Sequence, residues 1–384
     1  MSSLLLTEEE KLLQNTMRSF AQKELAIKAP QYDDAEEFPW DNISGLASLG
    51  MFGLGIDSKY GGTVGTTRQV AIAIEEIAKG CAATSSIVGA HLSLATQTIN
   101  TLGTESQKDR YLPELVSGKK IGAFGLTESG GGSDVAGMKT VVVKQDNNYI
   151  INGAKGFITN GDIAQVLIIF ASHDTSLRAK GISAFIVDKE TPGVTVSKQT
   201  GKMGIRASST AEIILENCEV PQENLIGKER EGFKNAMQIL DVSRIMIGAQ
   251  GVGIAQAAFE AAVKYAQQRE AFGQNLSNFQ AIRWMIAEMA TEIQAARLLT
   301  YYSAELNDNR FPFATEASMA KLFGSEIAVK AVDKAMQIHG GSGYFKPTLV
   351  ERLYRDAKIT QIYEGTTEIQ KLVISRNILR DMAI

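Results

Sequence analysis

Cysteine is almost missing from this chain: Cys81 and Cys218 are the only two in 384 residues. Two cysteines cannot build a disulfide framework or a metal knuckle, and they read as thiols of an intracellular protein. Only three histidines occur, His91, His173 and His339, far apart in sequence. A metal site or a histidine-based triad is therefore unfavoured, and no metal is expected. There is no surplus of basic charge. Thirty-nine Lys and Arg stand against 43 Asp and Glu, a formal net charge of -4. No Lys/Arg block marks a membrane surface, so neither nucleic acid nor membrane is an expected partner. No apolar run approaches the roughly 18 residues of a membrane span. The opening MSSLLLTEEEKLL reaches acidic side chains at once and lacks the marks of a signal or transit peptide. The expectation is a cytoplasmic, bacterial-type protein. No GxxxxGK[ST] is present, which excludes P-loop phosphoryl transfer.

What is there is ordinary for a folded protein: 44% hydrophobic and 21% charged residues. That excludes bulk disorder, and the length predicts two or three domains. Residues 1–120 read as helical. Thr7 with Glu10 forms a capping box ahead of Leu13, Met17 and Phe20 on one face. A helix is expected from about Thr66 to Ala78, and a very apolar, buried one from about Ala83 to Leu102. Thr104 to Gln107 looks like the start of another. From 121 to 230 the pattern becomes short β-rich runs punctuated by Gly, Pro and Asn, with no long helix between them. An antiparallel sandwich or barrel is expected over a parallel doubly wound sheet. From 231 to 384 helices return, over Phe233–Gln268, Phe279–Leu306, Ala314–Ile338 and from near Thr367. Their short loops argue for a four-helix bundle. The class is α+β: an N-terminal helical domain, a central antiparallel β domain and a C-terminal bundle.

Three glycine patterns invite a ligand. Gly251-Val252-Gly253 lies inside a helical pattern and lacks the sixth-position glycine, so close helix packing is preferred to a dinucleotide fingerprint. Gly53, Gly55, Gly61 and Gly62 read as turn chemistry. The segment from Gly122 to Asp134 is richer. A β run breaks into a loop with three hydroxyls, two carboxylates and three adjacent glycines, apt for ligand oxygens, though equally an ordinary surface loop. Near the end, Glu364 lies between Tyr363 and Gly365, just before a helix capped by Thr366 or Thr367. Spacing alone leaves two readings, a plain loop carboxylate or a desolvated general base.

Six blocks carry a resemblance across about 240 residues. They are Phe124–Asp134 (FGLTESGGGSD), Asn152–Asn160 (NGAKGFITN), Lys202–Arg206 (KMGIR), Gln268–Gly273 (QREAFG), Gln337–Gly341 (QIHGG) and Arg355–Thr366 (RDAKITQIYEGT). In this order the whole chain resembles the acyl-CoA dehydrogenases, closest to the short-chain (butyryl-CoA) branch. The helix, β, helix order read independently above is that family's fold. The resemblance implies FAD between the β domain and the C-terminal helices. Phe124, Leu126, Thr127, Gly132 and Ser133 would line the flavin ring and ribityl chain, with Phe157, Ile158 and Thr159 on the other side. Arg269, Phe272, Gln280, Gln337, Gly340 and Gly341 would hold the ADP half across a subunit boundary, completed by Thr366 and Glu368. Ser133, Asp241, Arg244 and Gly365 would meet the acyl-CoA.

By the same resemblance Glu364 would take the thioester α-proton while the β-hydrogen leaves as hydride to flavin N5. The backbone N–H of Glu364 and a ribityl hydroxyl would stabilise the enolate. Some branches place the base near position 243; Ser243 cannot serve, which argues against an isovaleryl-type site. No arginine lies between Cys81 and Leu94, which disfavours a dicarboxylyl substrate. Ser129, Gly131, Phe157 and His339 depart from the family's usual Pro, Ala, Trp and Phe. His339 is read as a packing substitution, and His91 as a core or pocket-wall residue. Electrons would pass to an electron-transfer flavoprotein, and the chain would be a homotetramer, a dimer of dimers. The same site run in reverse, as an enoyl-CoA reductase, and a non-catalytic scaffold are the competing readings. Pocket depth is expected from the helices around Ala83–Thr98 and Asp241–Gly253, plugged by Ile87, Val88 and His91 or opened by Gly248, Gly251 and Gly253.

Overall fold

The computed structural model describes residues 6–382; the first five residues of the leader argument, and the last two of the chain, lie outside it. The N-terminal part holds α1 (Glu8–Phe20), α2 (Ala26–Ala35), α3 (Trp40–Ser48), α4 (Thr67–Gly80), α5 (Ala82–Gly89), α6 (Gln97–Leu102) and α7 (Glu105–Val116). Capping boxes start three of them. Thr7 with Glu10 opens α1, Thr66 with Gln69 opens α4, and Thr104 with Gln107 opens α7. The expected helix over 83–102 is present and buried. It runs as α5, a π-helical stretch Ala90–Thr96, and α6.

The middle part is one eight-stranded sheet, with β1 (Gly122–Gly125), β2 (Val141–Gln145), β3 (Asn148–Thr159), β4 (Val166–Ser172), β5 (Ile182–Asp188), β6 (Val194–Lys198), β7 (Thr210–Pro221) and β8 (Leu225–Ile226). The order is β6-β7-β3-β2-β4-β5-β8, with β1 also on β4. The sheet is mostly antiparallel, as expected, with two parallel pairings added. β1 runs parallel to β4 from Gly122↔Val166 to Gly125↔Ile169, and β2 touches β4 in parallel at Val141↔Ser172. The remaining pairings are antiparallel. β4 is buried along its whole length, which explains its continuous apolar run.

The C-terminal part comprises α8 (Gly232–Gln268), a hairpin of β9 (Glu270–Ala271) and β10 (Gln274–Asn275), α9 (Gln280–Asp308), α10 (Ala314–His339), α11 (Leu349–Ala357) and α12 (Thr367–Asp381). α8, α9 and α10 pack together, α12 lies along α10, and α4 joins them against α8. The glycines of α8 are packing positions. A Cβ on Gly251 would meet the carbonyl of Gly324 at 2.4 Å, and one on Gly253 the carbonyl of Glu75 at 2.3 Å. The three parts are tied at one point. Arg355 of α11 donates to Asp33 of α2 at 2.6 Å and to the Met203 carbonyl at 3.1 Å, while Asp356 accepts from the Ile205 N–H. Both cysteines are buried and free. Among the described residues no helix is long and apolar enough to cross a membrane.

Candidate active site

After α11 the chain turns back toward α12 through a left-handed corner, with φ of 53° at Glu364 and 95° at Gly365. Glycine adopts this conformation freely, whereas glutamate there carries strain that the surroundings must hold. Several neighbours hold it. Lys321 Nζ of α10 donates to the Gly365 carbonyl at 2.7 Å. Gln370 Nε2 of α12 donates to the same carbonyl at 2.9 Å and to that of Glu364 at 3.3 Å. Ser325 Oγ donates to the Thr360 carbonyl at 2.8 Å. On α8, Ser243 donates to Glu364 Oε2, and Gln250 accepts from the Tyr363 hydroxyl. Ser93, in the π-helical stretch, lies 3.3 Å from the Ser243 hydroxyl.

Glu364 is half-buried. Burial raises its carboxyl, against the Ser243 hydrogen bond and the charges of Lys321 and Arg244. A carboxylate moved up in this way is suited to accept a proton near neutral pH. Its backbone N–H donates to no protein group among the described residues. Arg244 is buried and pairs with Asp241, and its Nε has no partner. An orphaned buried donor beside a carboxylate fits an oxygen-bearing substrate. Arg244 thus lies among the charges around Glu364, with Asp241 as its ion-pair partner.

The glycine-rich loop is pinned at one end and open at the other. Gly156 N–H donates to the Thr127 carbonyl at 3.0 Å, which sets the loop against β3. Glu128 accepts from Lys155 at 2.9 Å, from Thr140 Oγ1 at 2.6 Å and from the N–H groups of Lys139 and Thr140. Burial opposes its charge, yet Lys155 and these bonds hold Glu128 down at about 2. Burial draws the fully enclosed Lys155 down to about 8, against the attraction of Glu128. Beyond this anchor Gly132 and Ser133 are exposed, and a Cβ on Gly130 would meet nothing within 4 Å.

β3 carries a register shift between Lys155 and Ile158. A bulge there re-aims side chains. Phe157 takes φ of 59° and stands 63% exposed, and Thr159 is half-buried. Ile158 points into the core instead, as do Phe124, packed on Phe170 at 4.9 Å, and Leu126. These three have only backbone to offer a ligand at the loop.

The second set gathers elsewhere. Arg269 follows α8, and Phe272 with Gly273 forms the two-residue turn of the β9–β10 hairpin, at φ of 51° and 77°. Phe272 is 96% exposed. Gln280 begins α9. His339 stacks on Tyr265 at 4.2 Å, which brings the Gln337–Gly341 turn beside the end of α8. Gln337, Gly340 and Gly341 are exposed, and a Cβ on either glycine would meet nothing within 4 Å. Thr366 caps α12, with Glu368 exposed in its first turn. No hydrogen bond joins this set to the glycine-rich loop among the described residues. The two glycine-lined open surfaces, the hydroxyls of Thr127 and Ser133, and the exposed Phe157 fit FAD: an aromatic ring to cover, polar ring edges to bond, and a pyrophosphate that needs close backbone.

His91 does not line a pocket. It is fully buried, accepts the Gly122 N–H at Nδ1 (3.0 Å) and lies 3.1 Å from the Leu115 carbonyl through Nε2. Burial draws its ring down to about 4, so it is neutral. Sequence reasoning missed Lys321, Gln250 and Gln370, which read as ordinary helix residues; only their distance from any amphipathic polar face signals them.

Fold and site together define an FAD-dependent oxidoreductase. The acyl-CoA dehydrogenase N-terminal, middle and C-terminal domains match in order, over residues 7–119, 123–218 and 230–379. The chain belongs to the acyl-CoA dehydrogenase family. It is 46% identical over 375 residues to the short-chain specific acyl-CoA dehydrogenase of Clostridium acetobutylicum, covering 98% of this chain and 99% of that one. It is 47% identical over 377 residues to the acryloyl-CoA reductase (NADH) of Anaerotignum propionicum, covering 98% and 95%. Among solved structures, butyryl-CoA dehydrogenase from Megasphaera elsdenii superposes with a TM-score of 0.95 at 42% identity, covering 98% and 99%. A chain in a structure described as the electron transferring flavoprotein of Acidaminococcus fermentans does so at 0.96 and 44%, with the same coverage.

Proposed function

We propose that this chain converts a short-chain acyl-CoA, centrally butyryl-CoA, to the trans-2-enoyl-CoA, with Glu364 as the base. One observation carries the assignment: a carboxylate raised by burial sits on a left-handed corner braced from α8, α10 and α12. Glu364 takes the α-proton at its carboxylate. Its own N–H, free of protein partners, is placed to donate to the thioester carbonyl and lower the acidity barrier at the α-carbon. Bound FAD supplies the acceptor for the β-hydrogen and its electron pair. Thr127, Ser133, Phe157 and Thr159 would hold the ring and ribityl chain, and the Arg269 to Gly341 set the ADP half. Asp241 and Arg244 orient the thioester end.

The short-chain reading rests on Gln250. Its amide donates to the Ala82 carbonyl at 3.1 Å and to Ser85 and Ser86 at 2.8 Å each, besides accepting from Tyr363. It bridges α5 and α8 beside the base, while Gly248, Gly251 and Gly253 face neighbouring backbone and open nothing. A long acyl chain would have to break this polar bridge. The reading includes three domains divided near residues 120 and 230, a cytoplasmic setting, an electron-transfer flavoprotein as acceptor and a dimer-of-dimers tetramer. The likeness to the electron transferring flavoprotein structure supports the acceptor. Likeness to the acryloyl-CoA reductase favours a second reading, the same site run toward reduction. Turnover with butyryl-CoA and electron-transfer flavoprotein, against enoyl-CoA consumption driven by NADH, separates the two.

Glu364→Gln tests the base. The variant should retain FAD and lose anaerobic bleaching by butyryl-CoA by about 10²- to 10⁴-fold or more. Near-normal bleaching would overturn the assignment.

A further inference from the structure

We infer that Lys321 is a positioning residue for this reaction: with the Gln370 amide it clamps the Glu364–Gly365 corner, and its ammonium keeps the Glu364 carboxylate ionised. The inference rests on Glu364 being the base.

Lys321 has no exposed surface. A buried ammonium is expensive unless a charge or good acceptors compensate it. Its hydrogen bond goes to the Gly365 carbonyl, and no carboxylate lies within ion-pair distance of it among the described residues. A neutral amide would satisfy that carbonyl, and Gln370 already does so at 2.9 Å. The positive charge is therefore surplus to the needs of the turn.

The neighbouring charges show what it acts on. The corner contributes Glu364, α8 contributes Arg244, α10 itself contributes Glu326, and α12 contributes Glu368. Arg244 is paired with Asp241, Glu326 accepts from Thr367 Oγ1 at 3.0 Å, and Glu368 is exposed. Glu364 is the largest attraction on Lys321, and Lys321 in turn opposes the burial that raises Glu364. Burial draws Lys321 to about 8, so it still carries its charge at neutral pH. The grip is also mechanical. Ser325, one helical turn along α10, holds the Thr360 carbonyl, so one face of α10 fastens both ends of the segment that carries the base.

The test is the pH dependence of single-turnover flavin reduction by butyryl-CoA, measured on holoenzyme. Lys321→Met should move the acid limb of the profile upward by about one unit or more, because the carboxylate loses a neighbouring opposite charge. Gln370→Ala should slow reduction by the same factor at every pH and leave the limb in place. Lys321→Arg should hold the limb at its wild-type position. An unmoved limb in Lys321→Met overturns the inference, and so does a limb that moves equally in Lys321→Arg. If the Met variant fails to hold FAD, Lys321→Gln carries the same comparison. Glu364→Gln, run alongside, isolates the parent reading: bleaching retained there sinks the base itself, whatever the Lys321 profiles show.

Discussion

Ser243 occupies a position from which a base is ruled out by its chemistry, yet it donates its hydroxyl to Glu364, the proposed base. The same economy marks Gln250, which meets α5 on one side and Tyr363 on the other. Shortening it by Gln250→Ala should admit longer chains at the expense of butyryl-CoA. Each newly buried methylene contributes about 0.8 kcal/mol, roughly fourfold in kcat/KM. The optimum over a C4 to C12 series should move from C4 or C5 toward C8; an optimum still at C4 refutes Gln250 as the stop. Glu364 was legible in sequence because Tyr-Glu-Gly-Thr is a motif, and its environment was not. Lys321, Gln250 and Gln370 act through tertiary contacts that no local pattern announces. His91 shows the reverse limit. Its helix left core and pocket wall both open, and the ring is core, bridging β1 and the end of α7.

Among the elements, long periodic helices were readable and short ones were not. α2 holds Pro30 and has little amphipathic contrast, and α11 is nine residues between loops. The parallel β1–β4 pair was hidden for a physical reason. Parallel strands normally require a helical crossover, and none is present in the sequence between β1 and β4. The connection is made instead by the glycine-rich loop and the β2–β3 hairpin. The register shift of β3 between Lys155 and Ile158 was equally hidden, since register is a property of the pair. The glycines of α8 were read correctly as packing positions, and they permit a sharp test. Gly251→Ala should destabilise by about 1–3 kcal/mol, because the partner is rigid helix backbone. Gly89→Ala, whose Cβ would meet nothing within 4 Å, is the control. A thermal midpoint for Gly251→Ala equal to that of the control would contradict this packing.

At the scale of the whole molecule, apolar surface is left uncovered on the C-terminal helices. Leu372 is 62% exposed and Leu379 73%, and Phe272 projects from a strained hairpin turn into solvent. A tetramer would cover these side chains. Light scattering should give about four chain masses, and FAD should be released on dissociation, since binding linked to assembly falls with it. A monomer holding stoichiometric FAD would refute this.

The knot at Arg355 and Asp356 reaches α2 on one side and the Met203–Ile205 turn on the other, and the segment bearing Glu364 begins directly after it. Loosening either the first helices or the sheet should therefore slacken the segment that carries Glu364. Arg355→Ala should therefore lower turnover and thermal midpoint together, and a variant that loses only one of the two would break that link.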